Sequence, residues 1–167
     1  VVQNHTLISM CPLESVTEMS PYSPISLGSI VLSPDEAYSY KSRWPQAYAC
    51  GRLYHRKLFE IHRYPIGRQW EDLFTTHKLL FQIDQISYIP TPMYYYFINE
   101  NGIVRSKWTQ KKMHQLDAFE ELIVFLKRKN AVQSYPVAVR SYFSCIHLNY
   151  LGVEESAYAD AEKRAYR

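Results

Sequence analysis

Apolar side chains recur at helical spacing in three stretches of the chain. The first follows Asp72 and predicts a helix over residues 71–82, with His77 on its apolar stripe. The second predicts a long amphipathic helix over 110–129 with a basic end, and the third predicts another helix around 139–150. The stripes consist of Leu73, Phe74, Leu80 and Phe81, of Met113, Leu116, Phe119, Ile123 and Leu126, and of Val139, Tyr142, Phe143, Ile146 and Tyr150.

A shorter helix is predicted nearer the N-terminus by its start signals. Ser33 is placed to cap the helix, Pro34 suits the first helical position, and Glu36 completes a capping box. Pro45 disfavours helical backbone in the residue before it, so the predicted helix covers 34–43. We expect this helix to be structural.

Strands and turns alternate with these helices. The predicted strands cover 1–10, 47–54, 86–89 and 93–97. Gly51, in the second of them, permits close approach of another backbone segment. Prolines and serines predict a loop at 11–30, a short helix follows at 56–61, and a polar helix is predicted at 154–167. The pattern as a whole predicts a mixed α/β chain with helices at its C-terminal end.

Composition narrows the class of protein. The 167 residues are 47% hydrophobic and 21% charged, which is typical of a globular domain. Nineteen basic and sixteen acidic residues give a formal charge of +3, too weak for the concentrated basic face of a nucleic-acid binder. The three cysteines are widely spaced and form neither a disulfide framework nor a zinc pattern, which indicates reduced thiols in a cytoplasmic protein.

No apolar run reaches the roughly 18 residues of a membrane span, and the start of the chain has no signal-peptide pattern. A basic triplet at 127–129 allows peripheral contact with anionic lipid, although three charges are marginal for that. The chain begins at Val1 rather than at methionine, which is consistent with a piece of a longer protein.

Aromatic residues make up 15% of the chain, including 15 tyrosines. A tyrosine ring presents a flat apolar face with a hydroxyl at its edge, which suits stacking on a sugar or a nucleobase. Most tyrosines in proteins are half-buried packing residues, so both interpretations stay open for each of them.

Two adjacent carboxylates, Glu71 and Asp72, stand where the 71–82 helix begins. Unpaired backbone amides and the helix dipole favour negative charge there by about 0.3–1 kcal/mol per group. Pro65 and Gly67 predict a turn that would hold the two acids at the rim of a pocket. The pair is therefore either a helix cap or the acid of a catalytic site.

A series of short motifs around this pair resembles the C-terminal half of family 2 glycosyltransferases of the GT-A fold. The motifs are Gly-Arg-Leu-Tyr at 51–54, a basic pair followed by Leu-Phe at 56–59, Tyr-Pro-x-Gly-Arg at 64–68, the Glu-Asp pair, Met-Tyr-Tyr-Tyr-Phe at 93–97 and Asn-Glu-Asn-Gly-Ile-Val-Arg-Ser at 99–106. They occur in the family's order and cover roughly residues 33–128. Each motif alone is weak, but the set is specific.

The resemblance implies roles for particular residues. Asp72 would be the base that removes the proton of an acceptor hydroxyl as it attacks the anomeric carbon of a nucleotide sugar, and Glu71 would orient or charge the same pocket. The residues implied in substrate binding are Arg68, Trp70, Tyr96, Arg105 and Lys107. For Arg105 and Lys107, two interpretations stay open, namely contact with the donor phosphates and a solvated charge on the protein surface. The full-length enzyme would use a divalent cation, Mg²⁺ or Mn²⁺, to neutralise the leaving diphosphate.

The chain departs from the family pattern in two ways. It contains no Asp-x-Asp motif, and only about 46 residues precede the predicted strand at 47–54, so we expect the chain to be the acceptor-side half alone. Gly102 and Phe97 stand where Ser and Arg are usual, which weakens the case for phosphate contacts from those positions. We therefore expect residues 1–108 to be the acceptor-side part of a GT-A-like domain, 109–167 a helical extension, and the isolated chain to bind no metal and be inactive.

Two functions of other classes compete with this interpretation. One is a non-catalytic module that binds carbohydrate or a protein partner through a tyrosine-rich surface. The other is single-stranded nucleic-acid binding through stacking, which the weak net charge argues against. Half of a mixed sheet would expose an apolar edge, so homo-oligomerisation is also expected.

Overall fold

The computed structural model describes residues 6–16, 28–40, 46–99 and 102–155. The strands are β1 (Ile8–Met10), β2 (Leu13–Val16), β3 (Ile30–Leu32), β4 (Arg52–Tyr54), β5 (Ile86–Tyr88) and β6 (Tyr94–Phe97). The α-helices are α1 (Pro34–Ser39), α2 (Glu71–Leu80), α3 (His114–Arg128) and α4 (Ser134–Glu155), and two 3-10 helices lie at Arg56–Glu60 and Gln110–Met113.

The main sheet has four strands in the order β3-β5-β1-β4. Its central strands β1 and β5 are parallel and fully buried, whereas β3 and β4 are antiparallel to their neighbours. A second sheet pairs β2 with β6 in parallel, with Leu13 opposite Tyr94 and Val16 opposite Phe97. The predicted α/β class, with a mixed sheet followed by C-terminal helices, is confirmed.

The helices pack over one hydrophobic core, which extends from the main sheet to the C-terminal helices α3 and α4. Helix α3 packs against α2 and α4, and α1 contacts α2, α4 and β5. The most deeply buried residues of α2 and α3 include His77, Leu79, Leu80, Leu122 and Leu126, each 0% exposed. In the described ranges, no helix is both long enough and apolar enough to cross a membrane.

The predicted start of α1 is confirmed in detail. The Ser33 hydroxyl accepts the backbone N–H of Glu36 at 3.3 Å, and the Glu36 carboxylate accepts the Ser33 N–H at 2.8 Å. Hydrogen bonding to Ser33 also lowers the pKa of Glu36. The helix ends at Ser39, four residues earlier than predicted, because Tyr40 has left helical backbone with ψ 118. The next residues, 41–45, lie outside the described ranges.

Asp35 of α1 caps the N-terminus of α4. Its carboxylate accepts the backbone N–H of Gln133 at 2.9 Å and that of Ser134 at 2.8 Å, and the Ser134 hydroxyl also donates to it. These amides are among the donors that a helix start leaves unpaired. A side chain distant in sequence thus fixes where α4 begins.

Three predictions about the other segments are wrong in part. The loop predicted at 11–30 contains β2 and the first residue of β3, although 17–27 lies outside the described ranges. The strand predicted at 47–54 is reduced to Arg52–Tyr54. In the segment before it, the Gln46 carbonyl accepts from the Arg52 side chain and the Ala47 carbonyl accepts from the Thr76 hydroxyl, so these carbonyls do not pair with a neighbouring strand. The segment 110–113 is 3-10 helix, and α3 begins at His114.

The remaining helices agree with the sequence patterns. Helix α2 ends at Leu80, two residues before the predicted end, with Phe81 as its C-cap. Residues 56–60 form the predicted short helix in 3-10 geometry. Helix α4 includes the predicted 139–150 segment and extends to Glu155, and the polar helix predicted at 154–167 lies outside the described ranges from residue 156 onward.

Candidate active site

The chain enters α2 through two left-handed residues. Gly67 has φ 76, and Trp70, the N-cap of α2, has φ 63 and ψ 35. A left-handed conformation is an outlier for a bulky residue such as tryptophan and costs of order 1–3 kcal/mol. Backbone strain of this kind is common in functional loops, and here it immediately precedes the two candidate acids.

The Asp72 carboxylate is half-buried and bound by backbone amides. Its Oδ1 accepts the N–H of Leu73 at 2.8 Å, and the amide of Ala49 faces it as a second donor. Burial, and then the charge of Glu71, raise the pKa of Asp72, while the two amides and Arg52 act in the opposite direction. A carboxylate with a raised pKa that stays accessible to a ligand is suited to general-base chemistry.

Tyrosines from several segments interact electrostatically with this carboxylate. The Asp72 charge contributes to raised pKa values at Tyr38, Tyr48, Tyr54 and Tyr64, for each of which burial is the largest cause. Burial, followed by Tyr54 and Asp72, raises the pKa of Tyr64 to about 12. The Tyr38 hydroxyl is buried and has no hydrogen-bond partner in the described parts of the chain. Asp72 thus lies in a half-closed, largely aromatic environment.

The loop 46–51 packs against α2 and α1 and forms one wall of the candidate site. Gln46 donates its N–H to the Tyr38 carbonyl at 2.7 Å, and the Thr76 hydroxyl donates to the Ala47 carbonyl at 2.5 Å. Tyr48, in the middle of the loop, is 45% exposed and interacts electrostatically with Asp72 and with Tyr96 of β6. The loop therefore places an accessible aromatic ring beside the candidate base.

Gly51 ends this loop, and the close approach predicted for it is confirmed. It has φ 67, and a Cβ there would lie 2.6 Å from Leu13 Cδ2 and 3.2 Å from the Cys11 carbonyl oxygen. The Cys11 N–H in turn donates to the Gly51 carbonyl at 3.0 Å. The glycine therefore lets the loop pack against the segment between β1 and β2.

We expect Gly51→Ala to lower the free energy of unfolding by about 1–3 kcal/mol, because it combines left-handed strain with a steric clash. The matched control is Gly67→Ala, which has φ 76 but nothing within 4 Å of the added Cβ. Gly67→Ala should lower the free energy of unfolding only by the cost of the left-handed backbone, about 1–2 kcal/mol. Urea denaturation measures both, and equal losses would contradict the role of close packing at Gly51.

Three of the predicted binding residues, Arg68, Trp70 and Tyr96, lie near the start of α2 or on β6. The Arg68 guanidinium forms an ion pair with Asp117 of α3 at 2.8 Å and lies 5.3 Å from the centre of the Phe74 ring. Trp70 is half-buried against the core, and its Nε1 is buried without a partner in the described residues. Tyr96 is 39% exposed on β6 and interacts with Tyr48.

The other two, Arg105 and Lys107, are exposed at the turn after β6. Lys112 holds this turn through a 2.6 Å bond from Nζ to the Ser106 carbonyl. Trp108 then attaches the segment to α4, since its Nε1 donates to Asn149 Oδ1 at 3.0 Å and its ring lies over Gly152. Phosphate contact by Arg105 and Lys107 stays a prediction.

The cavities lined by described residues include two that lie away from Asp72. A groove of about 620 Å³ between α2 and α3 is lined by Arg68, Phe74, Asp117, Glu120, Glu121, Val124, Phe125 and Arg128. A smaller apolar pocket of about 220 Å³ lies at the α3–α4 turn. Asp72 lines neither of them, so the choice of Asp72 rests on the chemistry of its surroundings.

The described residues do not fit a resident metal ion. Nowhere in the described ranges do three or more His, Cys, Asp or Glu side chains come together as ligands. Glu71 and Asp72 supply only two carboxylates, and one Asp72 oxygen already accepts the Leu73 amide. We therefore derive no step through a metal held by this chain.

The structure adds residues that the sequence reasoning did not select, chiefly Arg52, Ala49 and Tyr48. Gly-Arg-Leu-Tyr at 51–54 carries part of the family resemblance, and its pattern predicts only a strand. Arg52 lies in β4, and its side chain also donates to the carbonyls of Gln46 and Cys50. The local sequence signal for Arg52 is a basic residue directly after a glycine, and this signal does not indicate which carbonyls the side chain binds.

Two known proteins are similar to the chain. "Glycosyltransferase GlyA" of Streptococcus pneumoniae serotype 4 is 36% identical over 90 residues, which is 53% of this chain and 12% of that protein. "Putative glycosyltransferase EpsH" of Bacillus subtilis is 30% identical over 97 residues, which is 54% of this chain and 28% of that protein. No protein-family model matches the chain. The chain is therefore similar to these two glycosyltransferases over about half of its own length, and it spans less than a third of either of them.

Proposed function

We propose that the chain is the acceptor-side half of a family 2, GT-A-type glycosyltransferase that transfers a sugar from a nucleotide sugar to a hydroxyl group of a glycan. The observation that carries the proposal is the environment of Asp72. It is a half-buried carboxylate at a helix start, beside a second acid and an accessible tyrosine. The similarity to two glycosyltransferases supports the same reaction class.

In this mechanism, Asp72 accepts the proton of the acceptor hydroxyl as its oxygen bonds to the anomeric carbon of the donor. The bond between that carbon and the nucleoside diphosphate breaks at the same time, and the diphosphate leaves. A sugar hydroxyl has a very high pKa, so a positioned base contributes about 10²–10⁴-fold to the rate. The negative charge of Glu71 raises the proton affinity of Asp72 and thus strengthens the base.

The donor would be bound by the remainder of the parent protein, together with a Mg²⁺ or Mn²⁺ ion that neutralises the diphosphate. Synthesis of a cell-surface or secreted polysaccharide in the cytoplasm is the setting that we propose. The isolated chain is expected to be inactive, because it supplies the base but not the donor site.

We expect the full-length parent protein to release nucleoside diphosphate from one member of a panel of nucleotide sugars when Mn²⁺ or Mg²⁺ and a glycan acceptor are present. The 167-residue chain alone, assayed in parallel, should release none. Released diphosphate is measured with a coupled enzymatic assay. A folded full-length protein that turns over none of the donors would contradict the proposal.

The exposed aromatic side chains of β6 favour a second candidate, a non-catalytic carbohydrate-binding module. Tyr94, Tyr96 and Phe97 are 44%, 39% and 58% exposed. Aromatic faces of this kind suit stacking on sugar rings. Glycan-array binding by the chain, combined with an inactive full-length protein, would favour this second function.

A further inference from the structure

Arg52 connects the two ends of the loop that forms one wall of the candidate site. Its Nη2 donates to the Gln46 carbonyl at 2.6 Å, and its Nη1 donates to the Cys50 carbonyl at 3.3 Å. Its Nε is buried and has no hydrogen-bond partner in the described ranges. The guanidinium thus closes the segment 46–50 into a compact loop.

The middle of this loop is the part that faces Asp72. Thr76 of α2, one turn after Asp72, donates its hydroxyl to the Ala47 carbonyl of the loop at 2.5 Å. The Ala49 amide lowers the pKa of Asp72, and the adjacent Tyr48 interacts with Asp72 electrostatically while remaining half-exposed. Neither residue contacts Arg52 through the hydrogen bonds described above. Arg52 therefore affects the site through the loop conformation as well as through its own charge.

We propose that Arg52 is a positioning residue for the catalytic base, because it holds the loop 46–51 so that the Ala49 amide and the Tyr48 ring stay beside Asp72. This inference rests on the proposed function. It assigns Arg52 no contact with substrate. It also places Tyr48 as an aromatic wall for the sugar whose hydroxyl faces Asp72.

Arginine suits this position better than lysine. The two carbonyls belong to residues four apart in sequence, and the planar guanidinium offers donors to both at once in a fixed fork. A lysine ammonium keeps the positive charge but is a compact point donor on a flexible stem. Arg52→Lys therefore separates the hydrogen-bonding role of Arg52 from its charge.

Several titratable or charged groups interact electrostatically with Asp72. Glu71 is its neighbour on α2, Arg52 and Tyr54 lie on β4, and Tyr38 lies on α1. Tyr48 and Cys50 belong to the loop, and Tyr64 precedes α2. Among the groups that act on Asp72, Arg52 and the Ala49 amide both lower its pKa. Loss of the Arg52 side chain should remove the lowering of the Asp72 pKa by the Arg52 charge and weaken the lowering by the Ala49 amide.

The test compares Arg52→Gln and Arg52→Lys with the wild-type full-length protein, and with Arg56→Gln as a matched control at an exposed arginine. We expect Arg52→Gln to reduce kcat/KM about tenfold or more and to move the acid limb of its pH profile to higher pH. Arg52→Lys should reduce kcat/KM severalfold with a smaller shift of that limb. Arg56→Gln should match the wild type.

A merely structural role would lower the melting temperature without moving the pH profile. An unchanged acid limb, together with kcat/KM within twofold of wild type in Arg52→Gln, would overturn the proposal. If Arg52→Gln does not fold, Arg52→Lys decides by the same two readouts.

Carbon NMR titration of the Asp72 carboxyl in the 167-residue chain provides a readout that needs no activity. We expect the Asp72 pKa to be higher in Arg52→Gln than in wild type, and an equal pKa would overturn the inference. If the full-length protein is inactive but the Asp72 pKa is also raised in Arg52→Lys, which keeps the positive charge, the proposed reaction fails while the positioning of Asp72 by Arg52 stands.

Discussion

Replacing Asp72 with asparagine is expected to lower sugar transfer by the full-length protein about 10²–10⁴-fold, the usual contribution of a general base. Asparagine has nearly the same shape, and its side-chain oxygen can still accept the Leu73 amide that Asp72 binds at 2.8 Å. What it lacks is the capacity to take a proton from the acceptor. Transfer is measured as kcat with saturating donor, and calorimetric binding of the nucleotide should be unchanged.

The neighbouring acid provides the matched control. Glu71 is exposed, and its charge is one cause of the raised pKa of Asp72. Glu71→Gln should therefore retain most of the activity and move the acid limb of the pH profile to lower pH. Wild-type transfer rates in Asp72→Asn would refute the assignment of Asp72 as the base.

Thermal stability separates loss of chemistry from loss of folding in the same variant. Because the native-state pKa of Asp72 is raised, ionisation of Asp72 opposes folding at neutral pH. This cost is absent below the unfolded-state pKa and grows as the pH rises through the native value. Asp72→Asn should therefore melt at a higher temperature than wild type at pH 7.5, and the difference should vanish near pH 3.

Acidification from pH 6.5 toward pH 3 is expected to destabilise the protein strongly, with His77 as a main cause. The ring is 0% exposed, and its Nδ1 lies 3.1 Å from the Leu73 carbonyl. Its Nε2 is buried without a partner in the described residues, and the Phe125 ring lies edge-on at 4.7 Å. Burial, and then the charge of Lys78, lower the pKa of His77 to about 3.

The sign of the effect follows from linkage. The unfolded chain binds a proton at His77 near the ordinary histidine pKa of 6.5, whereas the native state does so only near 3. The stability from a neutral His77 is therefore complete above pH 6.5 and declines by up to about 1.4 kcal/mol per pH unit as the pH falls. Between pH 7.5 and pH 4.5, the expected loss from this residue is about 2–3 kcal/mol.

The measurement is urea denaturation at the two pH values for His77→Phe and for His147→Phe, a control on the exposed side of α4. His77→Phe should lose much less stability on acidification than wild type, because phenylalanine cannot bind a proton. His147→Phe should lose as much as wild type. An unchanged pH dependence in His77→Phe would show that other groups dominate the acid sensitivity.

The helices could be predicted from the sequence because their signals are local. The capping box of Ser33 and Glu36 and the apolar stripe of α2 each lie within a few turns of chain. Strand β2 could not be predicted, since it depends on pairing with β6, where Glu14 lies opposite Tyr95. A proline-rich segment with little periodicity looks like a loop until its partner is known.

The same distinction applies to the site. The acids at the start of α2 were visible as a motif, and the structure shows how Asp72 is surrounded. The partners of Arg52 depend on how the preceding loop folds back, and the ion pair between Arg68 and Asp117 joins residues 49 apart. Neither arrangement has a signature within a short window of sequence, so the wall around the base became apparent only in three dimensions.

The cap on α4 has a consequence for the order of folding. Asp35 must pair with Ser134, 99 residues later, before the first turn of the longest described helix is fully hydrogen-bonded. Contacts at such separation carry a large loop-closure cost and form late. During synthesis on the ribosome, α1 and the sheet can therefore assemble first and then act as the template on which the last helix is completed.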